Sequence, residues 1–308
     1  MTVLRKKKMQ AVMIILAAGS IAACGGDADK RASSRAGGLS VAVSIPPQSW
    51  LVEMVGGSEF RAITLLSPGD SPATYQPADV QISELMQAEV YFRTGVPFEN
   101  GRWLQAVQNA GGPRIVDLRD GVPLRDIEHS HGDEYEHGHD TVSESDEGKD
   151  PHIWLSPRLL KIQAATIAET LTNLRPRLAG SIEENLADLL KELDDVDAFL
   201  HSSFSPHQGK AFYVFHPAWG YLADAYGLRQ VAIEIEGKEP SDRELTQFQT
   251  MARRDEVTAL FVQPQIAGET ARAAARMIDA DLIILDPMVY DVIANLRVVA
   301  DVISEVLK

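Results

Sequence analysis

The chain has 308 residues, a formal net charge of −15 and a single cysteine, Cys24. The acidic balance, with no basic stripe beyond the first residues, argues against nucleic acid as a partner and suits a protein that attracts cations. One cysteine excludes an internal disulfide.

The N-terminus reads as a targeting segment rather than part of the fold. Arg5, Lys6, Lys7 and Lys8 precede an apolar run from Met9 to Ala18, and Ile21-Ala22-Ala23 places small residues before Cys24. The apolar stretch is too short for a transmembrane helix and fits a secretory signal over residues 1–24. A cysteine at this position resembles a bacterial lipoprotein box, in which the thiol is lipidated and becomes the first mature residue. Residues 25–38, rich in Gly, Ala, Ser and charge, read as a flexible tether.

The remaining residues exceed what one core usually needs, so one large or two smaller domains are expected. Short apolar runs then alternate with helical periods. Leu39–Ser44 reads as a strand, Ser49–Val55 as a helix, Phe60–Leu66 as a strand, Ala78–Gln87 as a helix, Glu89–Arg93 as a strand, Asn100–Ala110 as a helix and Arg114–Leu118 as a strand. Repeats of this length imply parallel strands with crossover helices. After a polar stretch come two helices, Ser156–Leu174 and about Arg177 to Ser203. The second carries Ile182, Leu186, Leu189, Leu190, Leu193, Val196, Phe199 and Leu200 at helical spacing. At about 1.5 Å per residue it would run roughly 40 Å. Alternation resumes with strands at Ala211–Phe215, Gln230–Ile235, Ala259–Val262 and Leu282–Leu285, and helices at Ala218–Tyr226, Ser241–Arg254, Gly268–Ile278 and Asp291–Val306. The expected fold is α/β: two four-stranded lobes, residues 39–176 and 207–308, joined by one long helix within residues 177–206.

Four of the eight histidines (His129, His131, His137, His139) fall in eleven residues, inside a 127–150 stretch that holds nine Asp/Glu against one Lys. No apolar periodicity runs through it, so no core claims these residues, and the composition reads as metal-binding. Open α/β sheets bind ligands at the carboxyl ends of their strands. His152, after the loop that follows the fourth strand, His216, directly after the Ala211–Phe215 strand, and Asp286, after Leu282–Leu285, occupy such places. Two imidazoles and a carboxylate suit Zn2+, with Mn2+ or iron as the alternatives. Each residue also has a plainer role: a surface histidine, or an aspartate shaping a turn before proline.

On Ser44-Ile45-Pro46-Pro47, Pro68-Gly69-Asp70-Ser71-Pro72, Thr74-Tyr75-Gln76-Pro77, Asp150-Pro151-His152-Ile153-Trp154, Phe215-His216-Pro217, Glu239-Pro240-Ser241 and Leu285-Asp286-Pro287, the chain resembles the zinc/manganese solute-binding proteins of bacterial ABC importers. The resemblance covers nearly all of residues 39–308. It implies two lobes with a metal in the cleft between them, a rigid connecting helix, an ABC permease as partner and an extracytoplasmic, membrane-anchored monomer. The histidine-rich loop is a further trait of the zinc-specific branch. Where the family carries a histidine, this chain has Ala73, which has no donor atom. Water or a loop histidine would then complete the sphere; otherwise the site is weak or serves a different ligand. Asp150 and Glu239 are expected as supporting residues, Asp150 orienting His152 from behind. A zinc hydrolase is the competing class, but no HExxH-type motif is present. An extracellular metal buffer or adhesin, with the loop as its working part, is the third.

Overall fold

The computed structural model describes residues 39–127, 148–234 and 242–308. Cys24 and the tether, the loop histidines, Glu239 and Ser241 lie outside the described residues.

The first sheet contains β1 (Leu39–Val43), β2 (Phe60–Thr64), β3 (Val90–Arg93) and β4 (Arg114–Asp117), in the order β2-β1-β3-β4. The second contains β5 (Ala211–Val214), β6 (Arg229–Ala232), β7 (Ala259–Val262) and β8 (Asp281–Ile284), in the order β6-β5-β7-β8. Every pairing is parallel. Parallel strands need crossover connections that cover both faces, so central strands read as unbroken apolar runs. Val41, Ala42 and Val43, and Val90, Tyr91 and Phe92, are accordingly all buried. In each sheet the order reverses beside the first strand, between β1 and β3 and again between β5 and β7. Such a reversal leaves a crevice at the carboxyl ends of the strands.

The helices are α1 (Pro46–Gly56), α2 (Asp79–Leu85), α3 (Arg102–Asn109), α4 (Pro157–Leu174), α5 (Ala179–Phe204), α6 (Gly220–Tyr226), α7 (Asp242–Arg254), α8 (Glu269–Met277) and α9 (Val292–Val306). The first starts three residues before its expected beginning. Pro46 and Pro47 occupy its first turn, where a missing N–H costs nothing, and Gln48 Oε1 accepts from the Ser44 and Ile45 amides at 3.0 and 3.3 Å. In the first crossover of the C-terminal half, α6 stops at Gly227, in the left-handed region at φ 68°, with its N–H returning to the Ala223 carbonyl.

At 26 residues, α5 is about 39 Å long. It buries Ile182, Leu189, Leu193, Val196, Leu200 and Phe204 along one stripe, while Leu186, Leu190 and Phe199 are half-buried. That stripe packs on α1 and α4 at one end and α9 at the other. Its residues belong to one continuous apolar core that runs from Val41 through Trp154 to Leu307. A separate cluster, including Tyr213, Phe248, Leu260 and Ala274, fills the opposite face of the second sheet under α7 and α8. The long helix is therefore embedded in the core that both sheets share. Burying each such Leu or Val contributes about 2 kcal/mol, and Leu193→Ala would cost about 2–5 kcal/mol through the cavity it leaves.

Candidate metal centre

One half of the centre is built by a short stem. Asp126 and Lys149 form an antiparallel bridge, the Ile127 amide donates to the Gly148 carbonyl at 2.8 Å, and the Asp150 amide donates to Arg125 O at 3.0 Å. This stem returns the chain beside its own departure point and sets Asp150 two residues before His152. The Asp150 carboxylate is fully buried. Its Oδ1 accepts from the His152 amide at 3.0 Å and lies 2.7 Å from His152 Nδ1; its Oδ2 receives Arg125 Nη1 at 3.1 Å. Arg125 Nε reaches Asp224 Oδ2 at 2.8 Å, and Tyr221 donates its hydroxyl to the Asp150 carbonyl at 2.9 Å. Side chains of α6 thus grip the stem from the other half of the molecule.

The charges decide which nitrogen is available. Burial by itself would raise the Asp150 carboxyl, but the His152 ring and amide and the Arg125 guanidinium together hold it below the usual carboxylate range. Burial also lowers His152, because a desolvated imidazolium is costly, and this outweighs the opposing pull of Asp150. A neutral ring whose Nδ1–H points at Asp150 leaves the Nε2 lone pair facing outward.

The other half comes from the second sheet. His216 follows β5 by two residues, at the point where the strand order reverses. Beside it the β6 ladder continues past its last strand residue, with the Glu234 amide donating to the Phe215 carbonyl at 2.8 Å. Glu234 Oε2 lies 3.3 Å from His216 Nδ1. The two histidines meet edge to face, with ring centroids 5.2 Å apart and an interplanar angle of 72°. Their Nε2 atoms are 3.4 Å apart. Two nitrogens each about 2.05 Å from a tetrahedral zinc ion stand about 3.3 Å from one another. The separation of the pair matches that of two ligands to one zinc, and it also fits a hydrogen bond between the two rings.

Asp286 is placed differently. Its Oδ1 accepts from the Met288 amide at 2.9 Å and from Gln265 Nε2 at 3.4 Å, and its carbonyl accepts from Asn295 Nδ2 at 2.8 Å. The first of these contacts is an aspartate-turn bond spanning Pro287, the plainer role open to an aspartate before proline. The carboxylate lines a cavity of about 190 Å³ together with Pro46, Ser67, Gly69, Asp70 and Tyr290. Among the described residues no three His, Cys, Asp or Glu side chains gather closely enough to hold a metal. The structure brings His152 and His216 together and leaves Asp286 outside that pair. Ala73 sits exposed on the turn after β2.

Glu234 and Arg125 are the site residues that sequence reasoning missed. The sequence pattern places Glu234 inside a strand that continues to Ile235, whereas β6 ends at Ala232. An acidic residue just past the end of the strand next to β5 was the available signal. Nothing local marks Arg125, whose role depends on Asp150 and Asp224, 25 and 99 residues away.

A family model described as zinc-uptake complex component A, periplasmic, matches residues 41–304. The chain belongs to this family. A crystal structure of ZnuA superposes with a TM-score of 0.78 at 34% identity, covering 88% of this chain and 100% of that one. A ZnuA deletion mutant with zinc bound gives 0.77, also at 34% identity, over 88% and 98% of the two chains. The high-affinity zinc uptake system protein ZnuA of Yersinia pestis is 28% identical over 264 residues, 80% of this chain and 82% of that protein. The matched range spans both sheets and includes the segments that carry His152 and His216.

Proposed function

We propose that this chain is the extracytoplasmic receptor that captures zinc for an ABC importer and passes it to the permease. The observation that carries the reading is the Nε2–Nε2 separation of 3.4 Å between His152 and His216, one from each half of the molecule. Two imidazole donors favour zinc over manganese, which is drawn to oxygen-rich sites. A zinc ion held there would bridge the stem and the second sheet. Asp286 would be the third ligand, released from its turn contacts, with water or a loop histidine in the place left by Ala73.

Membership of the zinc-uptake family supports transport rather than catalysis, and the local chemistry supports the same choice. A zinc hydrolase needs a free general base beside the bound water. The Asp150 and Glu234 carboxylates both face ring Nδ1 atoms, on the far side from the facing Nε2 pair. Lipidation at Cys24 would anchor the receptor to a membrane, and the embedded α5 would keep lobe movements small.

Zinc titration calorimetry on the whole protein and on His216→Ala tests this directly. Removing a ligand should cost more than the about 10- to 100-fold that losing an outer partner costs. Tight zinc binding that survives in His216→Ala would overturn the reading.

A further inference from the structure

The two imidazoles of the centre are supported unequally. Behind His152, the Asp150 carboxylate is held by Arg125 and by a main-chain amide. Behind His216 stands Glu234, with side-chain exposure of 13%. Its Oε2 is buried, makes no conventional hydrogen bond among the described residues, and lies 3.3 Å from His216 Nδ1. The backbone sets the two residues side by side, because the amide of Glu234 is bonded to the carbonyl of Phe215, the residue just before His216.

We propose that Glu234 is the positioning residue of the C-terminal half-site, holding the proton of His216 on Nδ1 so that the Nε2 lone pair faces His152. This inference rests on the zinc-receptor reading. A histidine that binds metal through one nitrogen characteristically gives its other N–H to a carboxylate or carbonyl, which fixes tautomer and ring orientation. Without such a partner, imidazole prefers to carry its proton on Nε2. In that state His216 would direct a proton at His152, and a metal would have to displace it.

With Glu234 in place, both rings present lone pairs to the same point. At 3.4 Å a proton on either Nε2 would otherwise bridge the two rings. The metal-free centre is thereby set for a dication. Glu234 lies against the ring edge opposite the shared point, so it acts through His216 and is not itself a ligand.

The test uses the whole protein with the variants Glu234→Ala and Glu234→Gln. Nitrogen-detected imidazole NMR on the metal-free protein reads the tautomer, and zinc titration reads the affinity. In the natural protein His216 should be protonated on Nδ1. Glu234→Ala should shift the proton towards Nε2 and weaken zinc binding by about 10- to 100-fold. Glu234→Gln keeps an acceptor oxygen without the charge, so it should keep the tautomer and lose less affinity. An unchanged tautomer and affinity in Glu234→Ala would overturn the proposal. So would a Glu234→Gln that keeps the tautomer yet binds as weakly as Glu234→Ala, because charge rather than positioning would then be the cause. If the natural protein binds no zinc, the receptor reading fails, while the tautomer of the metal-free protein still decides the role of Glu234.

Discussion

Trp154 donates its indole N–H to the carbonyl of Pro287 at 2.7 Å, so a side chain two residues after His152 holds the backbone directly after Asp286. The indole is buried and also touches the His152 ring, with centroids 5.2 Å apart. One aromatic residue therefore sets the distance between a histidine of the pair and the third proposed ligand. Trp154→Phe retains most of the packing but strands the Pro287 carbonyl away from water. Leaving such a group unpaired costs about 1–3 kcal/mol. Urea unfolding of the metal-free protein should show a loss of that size, and zinc should bind more weakly. A variant with reduced stability and unaltered zinc affinity would show that Asp286 does not share an ion with His152.

Gly220 lies where the Arg125 guanidinium crosses the start of α6. A Cβ there would stand 1.7 Å from Arg125 Nη1 and 3.0 Å from Asp150 Oδ2. Gly220→Ala should expel the guanidinium and leave the buried Asp150 carboxylate without its cation, a loss of about 2–3 kcal/mol. Adding Arg125→Ala to that variant should cost little more, since both changes remove one contact. Additive losses in a double-mutant cycle would show that the crowding is relieved elsewhere.

Asp255 carries the pH dependence of the second sheet's outer edge. The Arg254 guanidinium, with Tyr213 and Arg229, each 2.9 Å away, holds its carboxyl down at about 2. A carboxyl depressed in the folded state adds stability above its unfolded pKa of about 3.9, and that stability is lost as pH falls towards about 2. These are partly solvated contacts, so about 1 kcal/mol is expected. Asp255→Asn should lower stability at neutral pH by that amount and flatten the acid limb of the unfolding midpoint. An acid limb as steep as the natural one would place the titrating group elsewhere.

Much of this architecture was legible in the chain. The unbroken apolar runs Val41-Ala42-Val43 and Ala259–Val262 mark central parallel strands, and the Ile182-to-Leu200 stripe marks a helix lying in a core. His216 was readable because a histidine straight after a strand must sit at the sheet's carboxyl edge. Contacts that close through space left no such mark. Only folding brings His152 Nε2 to His216 Nε2 across 64 residues, and the turn formed by Asp286 depends on the Met288 amide being free to meet it. The place of Glu234 is not legible in the chain, because period-two alternation does not say where a strand ends.

The turn bearing Ala73 offers a gain-of-function test. Thr74 and Tyr75 amides both return to the Ser71 carbonyl, at 3.2 and 3.0 Å, so the turn's shape does not depend on the Ala73 side chain. A histidine there meets no packing obstacle, because the position is exposed. Ala73→His should tighten zinc binding at least about tenfold, or about 1.4 kcal/mol, by supplying the missing imidazole. Calorimetry that records no gain would mean that this turn does not face the histidine pair.

The stem separates the proposed tight site from the histidine-rich loop. Ile127 and Gly148 are already hydrogen-bonded at 2.8 Å, so the chain can be rejoined there without moving Asp150. Replacing residues 128–147 with Asn-Gly supplies the backbone that a two-residue hairpin needs. Loop-closure entropy changes slowly with length, about 0.6 kcal/mol per doubling, so the fold should lose no stability. Equilibrium dialysis with metal analysis should then find one tightly held zinc per chain, with further weak binding abolished. Loss of the tight zinc along with the weak would assign a loop histidine to the primary site, in the position that Ala73 leaves empty.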